Sequence, residues 1–436
     1  MKIKYLLTVV ATVAIAKNSF AQYSQDAALF STAQTGSTAR IKAIGNAQTA
    51  VGGDLSSVSG NPAGIGFFTH SEASFTPEFN SSSVKSSYLG TPGSASTSNL
   101  NFNNASAVFY SRVNTPRGSD KSQGWLSFNF GVSYNRTNDF YENVNYGGKN
   151  ASNSISNYYA NLANTNGFQT GDNSLQEWAY DHSLIDLYSN GAGGSTYKSN
   201  VQPGVTQVNN TQRDGGQQEF SLSMGANYSN QFYIGFGIGI TSLRYDLNNT
   251  FTETGVASVL DANNQPLNVN FNSAYAQSQV TTGDGFNARL GFIYKPVEAF
   301  RIGATITTPT WYTIQDDYSE SLATQFTGVG GAIGGPADYP FTYNFRTPWK
   351  VSGGMAVFFG HYGFISGDID YLDYSTTTLS SADGYDASAD NHDIKSTYGS
   401  AVNARVGGEL KLDQLYLRAG YGVQGNPQKK WLRQRY

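Results

Sequence analysis

Cysteine is absent from the 436 residues, which excludes disulfides, Cys-zinc sites and thiol nucleophiles. Charge is scarce as well, at 13% of the chain, about half the share of an ordinary soluble protein. A net charge of -4 leaves no general basic surface, so no nucleic-acid partner is expected. The four histidines (His70, His182, His361 and His392) are scattered over different loops or turns without HExxH spacing, so neither a metal nor a cofactor is expected. No GxxxxGK[ST] or strand-borne GxGxxG motif occurs. Ser183 lies beside His182 and Asp181, but the members of a catalytic triad converge from separate elements, so the chain is read as a non-enzyme. No run of about 20 apolar residues exists, which excludes a membrane-crossing helix.

The chain does contain 48 glycines, 29 tyrosines and 26 phenylalanines against 3 methionines, a balance suited to strands and turns. Lys2 and Lys4 precede an apolar stretch from Tyr5 to Ile15 and the small-x-small triplet Ser19-Phe20-Ala21, which predicts a signal peptide over 1–21. Beyond it, alternation of period two recurs. Phe220, Leu222, Met224, Ala226 and Tyr228 alternate with Ser221, Ser223, Gly225 and Asn227. After Ser229-Asn230-Gln231, Phe232, Ile234, Phe236, Ile238 and Ile240 alternate with Tyr233, Gly235, Gly237, Gly239 and Thr241. The same plan joins Phe286–Tyr294 to Phe300–Thr308, Trp349–Phe359 to Gly363–Tyr371, and Val402–Leu412 to Leu415–Val423. Strands of roughly ten residues match a tilted bilayer crossing better than a globular strand. Short turns (113–123, 230–231, 295–299, 360–362, 413–414) alternate with long polar loops expected at 81–101, 138–217, 248–275, 319–341 and 376–398. Aromatic residues gather near the strand ends. This pattern predicts an all-β fold, a transmembrane antiparallel β-barrel with short turns on one side and long outer loops on the other.

Residues 22–70 are different. They are dense in small residues: Gly36-Ser37-Thr38-Ala39-Arg40, then Gly45-Asn46-Ala47-Gln48-Thr49-Ala50, Asp54 before Leu55-Ser56-Ser57, and Asn61-Pro62-Ala63-Gly64. In this ordered set the sequence resembles the FadL/TodX family of outer-membrane transporters for hydrophobic compounds. Arg301-Ile302-Gly303-Ala304, Asp368-Ile369-Asp370-Tyr371 and Leu417-Arg418-Ala419-Gly420-Tyr421 extend the likeness, and the layout looks most like the Bacteroidetes-type branch. The resemblance implies a 14-stranded barrel with 22–70 as a lumen hatch, 71–436 as the barrel, and passive, hatch-gated transport of fatty acids or other lipophilic molecules. It also implies a sideways exit at a kink in the third strand, where Gly131 interrupts the alternation. A structural or adhesive surface barrel, or a small-solute porin, is the competing reading.

Only about eleven strands can be counted, starting near 72, 104, 124, 219, 232, 284, 300, 342, 363, 400 and 415. Single-chain bacterial barrels have even strand numbers, so a frameshift or truncation near Lys430 is expected and the barrel reads as incomplete at its C-terminal end. In the longest loop, Leu175, Trp178, Ala179, His182, Ile185 and Tyr188 recur at helical spacing. Trp178, Ile185 and Tyr188 are therefore candidates for a surface capture patch, or else for a face packed on the barrel's own rim. Alternation points Arg289, Arg301, Arg346, Arg405 and Arg418 into the lumen, either paired with acids such as Glu409 or free to hold an anionic head group. The expected setting is the outer membrane of a Gram-negative bacterium, as a monomer, with outer-membrane lipid and a hydrophobic small molecule as partners.

Overall fold

The computed structural model describes residues 20–32, 36–114, 120–189, 193–260, 265–382, 384 and 386–429. Residues 1–19 of the expected signal peptide and the tail 430–436 lie outside them. The described chain opens with helices α1 (Phe20–Ser31) and α2 (Ala39–Ala43) and two 3-10 turns, Leu55–Val58 and Pro62–Phe67. The strands follow: β1 (Glu72–Tyr88), β2 (Thr91–Phe109), β3 (Trp125–Asp139), β4 (Glu142–Asn150), β5 (Ile185–Ser189), β6 (Ser195–Ser199), β7 (Val205–Tyr228), β8 (Phe232–Leu260) and β9 (Pro266–Val297). Then come β10 (Phe300–Thr307), β11 (Trp311–Phe326), β12 (Gly330–Arg346), β13 (Lys350–Phe358), β14 (Gly363–Asp373), β15 (Thr378–Ser381), β16 (Ser400–Leu412) and β17 (Leu415–Val423). Helices α3 (Ser156–Asn166) and α4 (Leu175–Asp181) sit in the long connection before β7, and α5 (Ser388–Thr397) precedes β16.

All pairings in the main sheet are antiparallel, and its path runs β1-β2-β3-β7-β8-β9-β10-β13-β14-β16-β17, eleven strands. Among the described residues β1 and β17 each have a single neighbour. Two strands are split by proline. β9 pairs with β10 through 289–297 and with β11 through 271–286, on either side of Thr308-Pro309-Thr310. β12 and β13 are likewise parted by Thr347-Pro348-Trp349. Proline has no N–H for the ladder, so each strand breaks there and resumes.

Three of the expected loops are strand. The segments 81–101, 248–275 and 319–341 continue the β1/β2, β8/β9 and β11/β12 ladders. Consequently β2 and β9 begin at 91 and 266 rather than at 104 and 284, and β7, reaching back into the expected loop 138–217, begins at 205 rather than at 219. The β1/β2 extension is largely polar on both faces, whereas in the other two Val259, Val269, Phe271, Leu322 and Phe326 are buried inward, so the outward apolar period of the wall strands does not mark these segments. The strand expected from 342 is the end of β12 followed by β13.

Each ladder has two unlike faces. Phe220, Leu222, Met224, Ile234, Phe236 and Ile238 are exposed apolar side chains, whereas Ser221, Ser223 and Asn227 on the opposite face are buried. What buries that face is the segment 36–68, which reaches every strand of the path. Lys42 pairs with Glu78 on β1, Val58 and Ile65 pack on Val108 of β2, and Ser366 Oγ of β14 donates to the Ala47 carbonyl at 2.7 Å. On the other strands the contact is made at glycine. A Cβ added at Gly225 of β7 would lie 2.5 Å from the Pro62 carbonyl oxygen, and at Gly235 of β8 2.2 Å from the Pro62 carbonyl carbon. At Gly291, Gly303, Gly407 and Gly420 the distances to segment atoms are 2.0, 2.2, 2.0 and 2.1 Å. Eleven flat strands would span about 50 Å, yet Lys42 and Ile44, two residues apart, touch the first strand at Glu78 and the last at Gly420. The sheet is therefore curled around residues 36–68.

Replacing Gly235 with valine would drive a side chain into the Pro62-Ala63 backbone, a clash that no rotamer relieves. We expect a loss of about 2 kcal/mol or more, read as a lower melting midpoint in heat-modifiable migration. Substitution of the outward Ile234 by valine should move that midpoint much less.

Candidate functional site

The interior is layered. At one level lies the segment 36–68, held by polar ties as well as by glycine contacts. Asn61 caps the Pro62–Phe67 turn by accepting from the Ala63 amide at 3.1 Å, while its Nδ2 donates to the carbonyls of Thr49 (2.7 Å) and Phe292 (3.2 Å). Pro62 occupies the first helical position, where its missing N–H is harmless. Ala63 packs with Tyr233 and Ile293, and a Cβ at Gly64 would meet Ser57 Oγ at 2.4 Å. Asp368 Oδ2 on β14 accepts from the Gln48 amide, the Thr49 amide and Thr49 Oγ1, each at 2.8 Å. Asn129 Nδ2 on β3 donates to the carbonyls of Ile65 and Phe68 at 2.9 and 3.0 Å.

Four of the predicted inward arginines do face this interior, and all four are engaged. Arg289 pairs with Glu219 and Arg405 with Asp370. Arg418 shares Glu409 with Arg40 of α2, at 2.6 and 2.8 Å. Arg301 is held between the rings of Phe67 and Phe358, 4.4 and 3.9 Å from their centroids, and donates to the Val51 carbonyl. Phe67 in turn stacks on Tyr233 at 3.7 Å. Arg346 contradicts expectation. It pairs with Trp311, which is exposed on the outer face, whereas the next pair, Tyr312 and Phe345, is buried inside. The Pro348 break shifts the alternation that had placed Arg346 inward.

Gly131 likewise has another role. The β3–β7 register is unbroken across it and slips instead at Trp125/Ser127 and Arg136/Asn138. A Cβ there would lie 2.6 Å from Val58 Cγ2, so this glycine admits the segment and marks no kink.

A polar cavity of about 110 Å3 lies against the segment, with Gln48, Thr49 and Asn61 on one side and the Arg289–Glu219 and Arg405–Asp370 pairs on the other. Tyr312 and Leu372 line it too, and both belong to the next layer, an apolar chamber. This chamber is walled by Phe140, Leu243, Tyr245, Ile314, Tyr343 and Phe345, and α1 fills it. The Phe30 ring meets Phe140 and Tyr245 edge-on, each at 5.8 Å. Few polar ties hold α1: Gln217 Nε2 donates to the Phe30 carbonyl at 2.8 Å, and Asn138 Nδ2 to the Thr32 carbonyl at 2.7 Å. Gln279 Nε2 donates to both Asp26 Oδ2 (3.3 Å) and Asp316 Oδ1 (3.0 Å). Burial, reinforced by the neighbouring Asp316, pushes the Asp26 carboxyl up to about 7.

The long connection 142–204 carries a core of its own, which overturns the capture patch. Helix α4 stops at Asp181 because Ser183 turns left-handed (φ 55°), and Ile185 begins β5 instead of continuing the helical face. Trp178 and Ile185 are buried, the indole against Gly334 and Gly335 of β12. Tyr188 alone is exposed, its hydroxyl donating to Asn200 Oδ1 at 2.6 Å. His182 sits in the same core beside Thr324, where burial pushes its imidazole down to about 4. The surface ring cluster in this region is a different one, formed by Phe168, Tyr180 and Tyr197 with centroids 5.4–6.0 Å apart. These rings come from a turn, a helix and a strand, so no sequence period joins them.

No family model matches the chain, and no curated relative does. Among solved structures, the chain is similar to the toluene transporter TodX of Pseudomonas putida, at 13% identity over 90% of this chain and 85% of that one, with a TM-score of 0.42. It is similar to the CymD monoaromatic hydrocarbon channel at 11% identity, with coverages of 90% and 85% and a TM-score of 0.46. For a Pseudomonas aeruginosa FadL homologue the values are 13%, 91%, 81% and 0.44.

The Asp26 carboxyl gives the chamber a pH dependence of definite sign. An unfolded aspartate titrates near 4 and the docked one near 7, so the docked form binds more protons in between. Docking of α1 should be strongest in acid, weaken as pH rises from about 4 to about 7, and stay weakened above. Hydrogen exchange of residues 22–32, corrected for intrinsic rates, should follow that course, and Asp26→Asn should flatten it. An unchanged profile in the variant would assign the dependence to another group.

Proposed function

We propose that the chain is an outer-membrane channel through which hydrophobic small molecules pass passively. The observation that carries this reading is the aromatic chamber inside a curled sheet whose outer face is apolar and exposed. An apolar outer face of this extent is stable against acyl chains and unstable against water. The leader-like N-terminus fits export. An apolar chamber takes lipophilic ligands by burial of their surface, without a polar group to direct chemistry.

Two barriers stand in the lumen. The segment 36–68 is fixed to all eleven strands of the sheet path and serves as the static barrier. Helix α1, held mainly by apolar contact, is the part that yields, so that vacating the chamber and admitting ligand are one event. The engaged arginines leave no free guanidinium for a carboxylate head group among the four, which favours neutral lipophilic cargo over fatty acids. The sideways exit belongs where the β2–β3 ladder ends, beyond the pair Asn104 and Asn135, because the backbone of β2 above it is no longer paired with β3 and Asn101 Nδ2 reaches Asp139 Oδ2 there at 2.7 Å. A general porin would need a continuous water path, which the segment interrupts.

Proteoliposomes containing the chain should take up a lipophilic fluorescent probe faster than empty liposomes and should not swell in sugars. Deleting residues 23–32 should raise probe entry several-fold and leave sugar swelling unchanged. Sugar entry in the parent would sink the reading in favour of a porin, and equal probe entry in both forms would remove α1 as the gate.

A further inference from the structure

The outer end of the lumen holds a carboxylate in an unusual setting. Glu320, on the inward face of β11, accepts hydrogen bonds from three phenols: Tyr275 and, at 3.2 and 3.4 Å, Tyr318 and Tyr339. Gln277 Nε2 braces two of them, donating to the hydroxyls of Tyr318 (2.6 Å) and Tyr275 (3.1 Å). The rings of Tyr318 and Tyr339 are stacked at 6.0 Å, and Tyr158 of α3 closes in from the outer connection beside Glu320 and Tyr318. The group is half-buried, and Tyr339 is 46% exposed. Among the described residues no Lys, Arg or His pairs with Glu320, in contrast to Glu219, Asp370 and Glu409 deeper inside, each of which meets an arginine.

Phenol donors orient a carboxylate without cancelling its charge, because they are neutral. The tyrosine rings beside it carry negative quadrupole faces that attract cations. A negative charge held by phenol hydroxyls, beside aromatic rings and open to solvent, is complementary to an organic cation, above all a quaternary ammonium, whose diffuse charge is attracted to ring faces and needs no hydrogen bond. The same site repels a carboxylate. We propose that this tyrosine–carboxylate cage is a binding site for organic ammonium groups at the channel mouth, and that lipophilic ammonium compounds are a preferred cargo class. The cargo half rests on the passage reading above; the binding half does not. Position supports the link. Glu320 is four residues along β11 from Asp316, which shares Gln279 with Asp26 of α1, so the cage lies about 13 Å from the chamber.

The test uses the full chain in lipid nanodiscs and three ligands of one shape: choline, its neutral isostere 3,3-dimethylbutan-1-ol, and the anion 3,3-dimethylbutanoate. Choline should bind at least tenfold tighter than the neutral isostere, with the anion weakest. Glu320→Gln keeps an acceptor for the phenols and removes the charge, so it should abolish the difference; Tyr318→Phe should reduce it. Equal binding of choline and the isostere, or a preference that survives Glu320→Gln, would overturn the proposal. Entry of octyltrimethylammonium and octanoate into proteoliposomes separates the two readings. Selection of choline with no entry of either compound leaves the cage standing and sinks the passage, whereas entry of both at equal rates, with no choline selection, sinks the cage alone.

Discussion

The fold depends on how closely one stretch of backbone approaches the inner face of the sheet. Residues 36–68 lie against glycines on β3, β7, β8, β9, β10, β16 and β17, where a single added methyl would collide with backbone at Pro62, Thr49 or Ile44, or with the side chains of Val58 or Asn61. That closeness removes water from the segment, and each carbonyl it buries must find a donor in the wall or lose on the order of 1–3 kcal/mol. The wall supplies them: Asn103 to Ser37, Ser366 to Ala47, Arg301 to Val51, Ser223 to Val58, and Asn129 to Ile65. Small residues on both sides and polar side chains between them are thus one device. The glycines permit contact and the amides and hydroxyls make it specific.

From that base outward, the interior changes character in steps. Next to the segment, buried arginines are compensated by carboxylates or, at Arg301, by two aromatic faces. A buried charge left alone would be costly, and a buried pair adds more to geometry than to stability. Beyond lies the apolar chamber, whose occupant is a helix of the chain itself. At the mouth, a carboxylate is surrounded by phenols without a cation. On the passage reading proposed above, a ligand meets first an anionic and aromatic, then an apolar, then a polar environment, and its inward path ends at the level of α1.

The outer part of the molecule is built differently from the wall. Extended ladders such as β8 and β9 carry the connection 142–204, which closes a core of its own around Tyr159, Trp178 and Ile185. A tryptophan buried there stabilises the outer structure and is unavailable for capture from solution. The exposed rings there are Tyr188 and Tyr180, the latter clustered with the half-buried Phe168 and Tyr197 from separate elements.

The alternation of Phe220–Tyr228 and Phe232–Ile240 determined, without any tertiary information, that these segments are strands with one apolar and one small or polar face. Eleven strands could be counted from such runs because the apolar band repeats in each of them. The small-residue pattern of 36–64 and the turn at Asn61-Pro62 were equally legible, since backbone demands of this kind are met by few residue types. What alternation could not supply was the length of the ladders where the outward apolar band ends, nor the breaks at Pro309 and Pro348, one of which turns Arg346 outward. Helical spacing could not register that Ser183 ends α4, which separates Ile185 from Trp178. Only the tertiary structure decided that Gly131 receives Val58 instead of bending a strand, that the inward arginines are spoken for, and that Tyr158, Tyr275, Tyr318 and Tyr339 converge on Glu320. Those facts depend on which residues of distant segments meet, and a local pattern carries no information about its partner.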